Sequence, residues 1–418
     1  MYSKLAGMRF FTFLWIAGVY LLTRNPNPGF GDSLGFILHA SAGFDPATNA
    51  TSHFLYINLL HLLTICFPFT DVITLASLFS VIMGIWALER LYQLACMVAG
   101  EQKYALAAVL IMAFSFSWWR QVVTIEVYAF FCFCVLNMWV RIFRDVDSGQ
   151  YTRMPAAALW LGLCLLTHIQ SVLLFPLFAV YLWWGRMNIR GVMIAILPPV
   201  LALLFLFLSP LVFHLNTPAS VLFDNRMGAE VMGIDPVQLL KGIFRSLGYW
   251  AYNFHVFLPL AIIGVVRIWR ESRRLAILLI GGGLPFWLFA MRYNVSDNYV
   301  FFLVPYFALA VFSAAGIKRL IASIRSKWQE KAVYLLPFVM SILLYFFVWK
   351  VAAQVPGVRD MASGKEYKGG IAFYFWPGQA GMPDPLEIAR KIRDEEIAPI
   401  PDFERYPVAV EYLERSNP

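Results

Sequence analysis

Apolar residues run along this chain in long blocks, separated by short charged or Pro/Gly-rich punctuation. Eleven blocks can be marked, at about 8–22, 71–88, 104–119, 122–140, 155–171, 172–185, 191–213, 250–266, 275–291, 299–317 and 332–349. Most approach the roughly 17–25 residues that carry a helix across a bilayer core of about 30 Å. The pattern predicts an all-α fold, a polytopic membrane bundle of about eleven transmembrane helices filling residues 1–349. The first block has no small-residue cleavage site before Arg24 and reads as a retained helix. No internal repeat is visible.

Three stretches lack a spanning pattern. The first loop, 23–70, carries Asn-Pro-Asn-Pro-Gly, Asp32, Asp45 and three histidines, and its part from Phe54 is amphipathic enough to lie along an interface. The second is the loop 214–249. The third is a polar tail, 350–418, in which Asp384-Pro385 predicts the capped start of a short helix.

Charge sets the orientation. With the N-terminus inside, and counting the N-terminus and loops ahead of residue 350 alone, eighteen Lys and Arg fall on the inner side and six on the outer, a positive-inside bias. The tail and both loops are then extracytoplasmic, in a bacterial inner membrane or, in a eukaryote, the endoplasmic reticulum. The sequons at Asn49 and Asn294 fall outside as well.

Composition acts by exclusion. The 418 residues are 60% hydrophobic, 17% aromatic and 14% charged, against about 45–50% apolar and 25% charged in soluble domains. A soluble enzyme and a disordered chain are ruled out. The net charge of +8 reflects basic inner loops rather than a nucleic-acid partner. Five cysteines lie in apolar blocks without metal or redox spacing. Walker A, G-x-G-x-x-G, H-E-x-x-H and G-x-S-x-G motifs are absent.

Chemistry-bearing residues gather on the outer side. Asp32 lies between Gly31 and Gly35; it either reaches into a pocket or caps the following helix. Trp118 and Trp119 suit an interfacial aromatic belt. Glu126 is predicted about a turn and a half inside an apolar helix, braced by Arg120 or catalytic. His53 and His168 are weaker pocket candidates, and Asp297 either caps the tenth span or lines the site. A phosphate on this face would be met by the few outer cations, Arg120 and Arg292 foremost. A divalent cation is compatible with such carboxylates, but no ligand signature or other cofactor motif is present.

The order of motifs is familiar: Gly31-Asp32-Ser33-x-x-Phe36-Ile37, Ser117-Trp118-Trp119 with Glu126-Val127-Tyr128-Ala129, Leu-Leu-Thr-His168, and Asp297-Asn298-Tyr299 leading to Pro305. This resembles the protein O-mannosyltransferase-like membrane family, glycosyltransferase family 117. Gly35 stands where that family usually has a glutamate, and its His-Pro-Pro-Gly stretch is reduced to His53-Phe-Leu-Tyr. The resemblance implies a GT-C-like fold that moves a mannose-like sugar from a polyprenyl-phosphate donor to a hydroxyl on a protein or glycolipid, within membrane lipid. It implies Asp32 as base and Glu126 as second carboxylate. Arg120, Arg292, His53, His168, Trp119, Tyr128 and Asp297 would contact substrate. The rival readings are a lipid-linked-sugar flippase, for which charges deep in several helices would be expected, an inactive relative that binds the donor, and a polymerase or ligase of surface polysaccharide.

Overall fold

The computed structural model describes residues 2–47, 52–213, 236–293, 295, 297–321 and 327–416. Helix makes up 81% of the structure, and no strand occurs among the described residues. The sequons at Asn49 and Asn294, and Arg226, fall outside the described residues.

Apolar composition builds the long elements. They are α1 (Tyr2–Thr23), α4 (Val72–Ala99), α7 (Tyr128–Ser148), α10 (Ile189–Val212), α13 (Arg273–Arg292), α14 (Leu303–Ile321) and α15 (Lys327–Ala352). Between them lie α2 (Asp32–Ala42), α3 (Phe54–Cys66), α5 (Gln102–Ala113), α6 (Phe116–Val122), α8 (Met154–Thr167), α9 (Phe175–Trp184), α11 (Pro236–Phe254) and α12 (Leu258–Glu271). Six spans are long and apolar enough to cross a membrane, or seven if the bent pair α5 and α6 is one span. The remaining predicted blocks coincide with helices that are shorter or, as in α7, carry more charge. The loop expected over 214–249 is in part helix, because α11 begins at Pro236 and runs on toward α12.

Helix ends follow local chemistry. Asp71 Oδ1 accepts the Thr74 N–H at 2.8 Å to open α4. Gly100 closes the same helix with φ 75, the left-handed region where a Cβ is unwelcome.

The buried axis is α14, whose span is 94% buried. Its partner α12 comes so close that backbones touch: a Cβ on Gly264 would sit 1.8 Å from the Phe312 carbonyl oxygen, and one on Gly316 1.9 Å from that of Leu260. Only glycine allows this crossing, and in lipid close packing replaces the hydrophobic drive between helices. The perimeter turns large apolar side chains outward, including Phe10 and Phe11 on α1, Leu201 and Leu204 on α10 and Leu343 and Phe347 on α15. That surface suits lipid, and the protein is an integral membrane protein.

Because the long helices alternate in direction, polar groups collect at two ends. At one end Arg9 pairs with Glu89, Lys318 with Glu101 at 3.6 Å and Arg153 with the fully buried Asp145 at 3.0 Å. The other end holds α2, α3, the 123–127 connection and the 293–298 connection. Onto it folds the C-terminal segment, α16 (Pro356–Ser363), α17 (Gly370–Phe375), α18 (Pro385–Arg393) and α19 (Tyr406–Ser416). Asp384 Oδ1 caps α18 by accepting the Leu386 N–H at 2.9 Å. Phe30 wedges between Tyr367 and Phe403, at 5.4 and 5.5 Å between ring centroids, and docks this segment on the first loop.

Candidate active site

The site begins with a broken helix. α5 stops at Ala113, and α6 leaves it at 74°. Ser115 at the break bonds back to the Met112 carbonyl at 2.8 Å. α6 lasts only two turns, and the chain then runs unwound through 123–127 before α7 starts at Tyr128. Glu126 therefore sits on this connection, not inside a helix as its apolar flanks predicted. Val123, Thr124 and Ile125 are β-branched and weaken a helix here, and the carbonyls of Val123 and Ile125 are used by another segment.

That segment is the first loop. Asn25 N–H donates to Val123 O at 2.8 Å, and Ser33 Oγ donates to Ile125 O at 2.8 Å. A Cβ on Gly29 would meet Ser33 Oγ at 3.0 Å and Thr124 Cγ2 at 3.2 Å, so the two strands of chain lie in close register. Asp32, beside Ser33, is thereby set near Glu126, beside Ile125. Asp32 is the first residue of α2 and makes no side-chain cap bond, so capping is not its role. Its carboxylate forms an ion pair with Arg405 of the C-terminal segment.

Asp297 comes from a third segment. Asn298 Nδ2 donates to Ala290 O at 2.9 Å, folding the 293–298 connection back on the end of α13. Asp297 makes no side-chain cap bond either. Its side chain keeps solvent contact while neighbouring protein crowds it. Burial pushes its carboxyl above the ordinary range, and the charge of Asp32 adds to the rise. Glu126 is pushed well up, first by burial, then by Asp32 and Asp297; the Val127 N–H and Arg120 oppose the shift. Three acids from three distant segments thus feel one another. Among the described residues no group of three His, Cys, Asp or Glu side chains is arranged to hold a metal ion.

The predicted Arg120–Glu126 brace does not form. Arg120, buried on α6, instead donates to the Phe373 carbonyl of α17 and lies over the Phe373 ring at 4.4 Å. The Tyr299 ring flanks it at 5.8 Å, and Gln121 donates to Tyr299 Oη at 3.3 Å. Tyr252 Oη donates to Phe375 O at 2.9 Å, a second tie on α17. Arg292 ends α13, partly buried, at the start of the connection that carries Asp297.

Histidines wall one side. His53 adopts a left-handed backbone, φ 53, and its Nδ1 bonds the Thr167 carbonyl at 3.0 Å. Desolvation lowers its pKa, against the opposing pull of that carbonyl and of Asp32. The His168 ring lies 4.8 Å from His53 and 5.3 Å from Tyr128. His168 Nδ1 accepts the Gln170 N–H at 3.1 Å, which leaves the proton of the neutral ring on Nε2.

Trp118 and Trp119 are fully buried, so the interfacial belt is a misreading. Trp119 Nε1 donates to Thr23 Oγ1 at 2.9 Å, which ties the end of α1 to α6. Sequence reasoning missed Arg405, Phe373 and Tyr299. Tyr299 stood in the motif that carries Asp297, whereas Arg405 and Phe373 lie in a tail that reads only as polar.

This architecture matches solved structures. ArnT from Cupriavidus metallidurans bound to undecaprenyl phosphate aligns with a TM-score of 0.62 at 12% identity, over 98% of this chain and 75% of that one. The chain has the GT-C fold. The apo state of the same ArnT gives 0.59 at 13% identity over the same shares. The apo oligosaccharyltransferase of Archaeoglobus fulgidus gives 0.50 at 13% identity, over 97% of this chain and 59% of that one. No protein-family model and no curated protein sequence matches the chain. The likeness is one of GT-C architecture and does not reach the O-mannosyltransferase-like family.

Proposed function

We propose that this GT-C chain is a membrane glycosyltransferase. It would move one mannose-like sugar from a polyprenyl-phosphate donor to a hydroxyl of a protein or glycolipid on the non-cytoplasmic face. One observation carries the reading: Asp32, Glu126 and Asp297 meet at one end of a fold whose solved neighbour holds undecaprenyl phosphate.

The chemistry needs three things. The acceptor oxygen attacks the anomeric carbon as its proton leaves to a base, and the bond from that carbon to the phosphate oxygen breaks. Asp32, the more exposed acid, takes the proton. Glu126, whose protonated form is favoured by burial and by its acidic neighbours, donates a hydrogen bond that orients the acceptor or sugar. The departing phosphate needs cations, for which Arg120, Arg292 and Arg405 stand at this end. His53, His168 and Tyr128 form the aromatic wall.

A second reading, a relative that binds the donor without turnover, is favoured by the partners already on Asp32 and Arg120. Sugar transfer from a polyprenyl-phosphate donor, measured on purified protein in detergent, separates the two. Transfer that falls at least about 100-fold in Asp32→Asn supports the base. Wild-type turnover in that variant removes it, and donor binding without transfer selects the second reading.

A further inference from the structure

At the end opposite the carboxylates, three arginines gather without an acid. Arg90 on α4 and Arg144 on α7 both donate to one neutral acceptor, Gln93 Oε1, at 3.2 and 2.8 Å. Arg141, one turn before Arg144, bonds only its own helix at Asn137 and is repelled by both other guanidinium groups. Among the described residues none of the three forms an ion pair. Glu89, which accepts from the Gln93 amide, is taken by Arg9; Asp145 is taken by Arg153 and Tyr181. Like charges held this close, partly out of water, destabilise the fold unless an anion joins them.

The same face leads into lipid. Arg141 lies over the Trp160 ring of α8 at 5.3 Å; Trp160 touches Phe133 of α7 at 5.5 Å, and Phe133 touches Trp86 of α4 at 5.8 Å. Trp86 is half exposed, one helical turn from Arg90. An open aromatic strip on α4, α7 and α8 therefore runs along the membrane-facing surface and ends in an unneutralised triple charge. A soluble phosphate would fill the charge and leave the strip unused. A phospholipid uses both.

We infer that Arg90, Arg141 and Arg144 bind the phosphate of an anionic phospholipid whose acyl chain lies on Trp160, Phe133 and Trp86. Basic pockets between transmembrane helices recognise headgroups in this way, each arginine adding about fivefold in affinity near the membrane surface.

Native mass spectrometry of the full chain released from detergent tests this, with phosphatidylglycerol, phosphatidylcholine and inorganic phosphate as probes. Phosphatidylglycerol is expected to bind at least about tenfold tighter than phosphatidylcholine, with Arg141→Gln and Arg144→Gln each costing about fivefold. Equal affinity for the two lipids, or unchanged phosphatidylglycerol affinity in the double variant, overturns the site. Displacement of the lipid by inorganic phosphate at equal concentration overturns the lipid part alone. Should Arg90→Gln fail to fold, Arg144→Gln decides the outcome, because that side chain is exposed.

Discussion

Arg405, just ahead of α19, reaches back across almost the whole sequence to form an ion pair with Asp32 at the start of α2. Both side chains are about half exposed, 46% and 51%. Such a pair contributes at most about 1 kcal/mol to stability. Arg405→Gln should therefore leave the melting temperature in detergent nearly unchanged. Its effect on turnover reads the site directly: loss of a phosphate partner raises KM for the donor, whereas Asp32→Asn lowers kcat. Steady-state kinetics of the two variants check this, and identical KM effects would remove Arg405 from donor binding.

Glu126 makes stability depend on pH. Its carboxyl lies well above the ordinary range in the folded chain, burial being the first cause and Asp32 and Asp297 the next. The folded state thus keeps a proton that the unfolded chain has lost. Stability from this group is full below the unfolded value of about 4.5, and it falls as pH rises through the folded one. The slope there is up to about 1.4 kcal/mol per pH unit. Glu126→Gln should flatten the decline and leave the variant the more stable protein at the alkaline side. Asp297, also raised, contributes to the slope that remains. Thermal melts across pH 5–9 decide it; parallel wild-type and variant curves would show that Glu126 is ionised throughout.

Much of this was legible in the sequence. Blocks of apolar residues locate the long helices because a lipid-facing helix needs no alternation, and Asp384-Pro385 marks the start of α18 because a side-chain acceptor before proline suits a helix N-terminus. Glu126 was misplaced because hydropathy averages over its apolar neighbours and cannot see that α6 ends at Val122. Trp118 and Trp119 were read as a belt because position near a span end is visible and burial is not. The site itself could not be read as a geometry. It is made by contacts such as Ser33 to Ile125 and Arg120 to Phe373, which join segments 92 and 253 residues apart.

The α12–α14 crossing gives a sharp test of packing. Alanine at Gly264 or Gly316 would drive a Cβ within 2 Å of a carbonyl oxygen on the facing helix, so backbone and not a flexible side chain must yield. Each substitution should cost at least about 1–3 kcal/mol, the usual range for overpacking. Gly281→Ala on α13, with nothing within 4 Å of its new methyl, should be neutral or stabilising by up to about 1 kcal/mol. Thermal shift of the three variants measures the contrast, and a tolerated Gly264→Ala would mean that the helices cross farther apart.

Arg120 decides how firmly the C-terminal segment is held. Its guanidinium donates to the Phe373 carbonyl and covers that ring, while the aromatic face of Tyr299 closes the other side. Arg120→Gln keeps a shorter donor but loses the planar charge that spans Phe373 and Tyr299 together. A charge-assisted hydrogen bond of this kind contributes about 1.5–3 kcal/mol, and the loss falls on the docking of α17 against α6. Limited proteolysis in detergent should then cut the variant faster than the wild type between residues 364 and 384, while the membrane helices stay resistant. Tyr252→Phe, which removes the other tie on α17, at the Phe375 carbonyl, should accelerate cleavage by a smaller factor. If the cleavage rate is unchanged in Arg120→Gln, α17 is held by its packing on α15 and by the Tyr252 tie, and Arg120 is free to meet a donor phosphate without first releasing the segment.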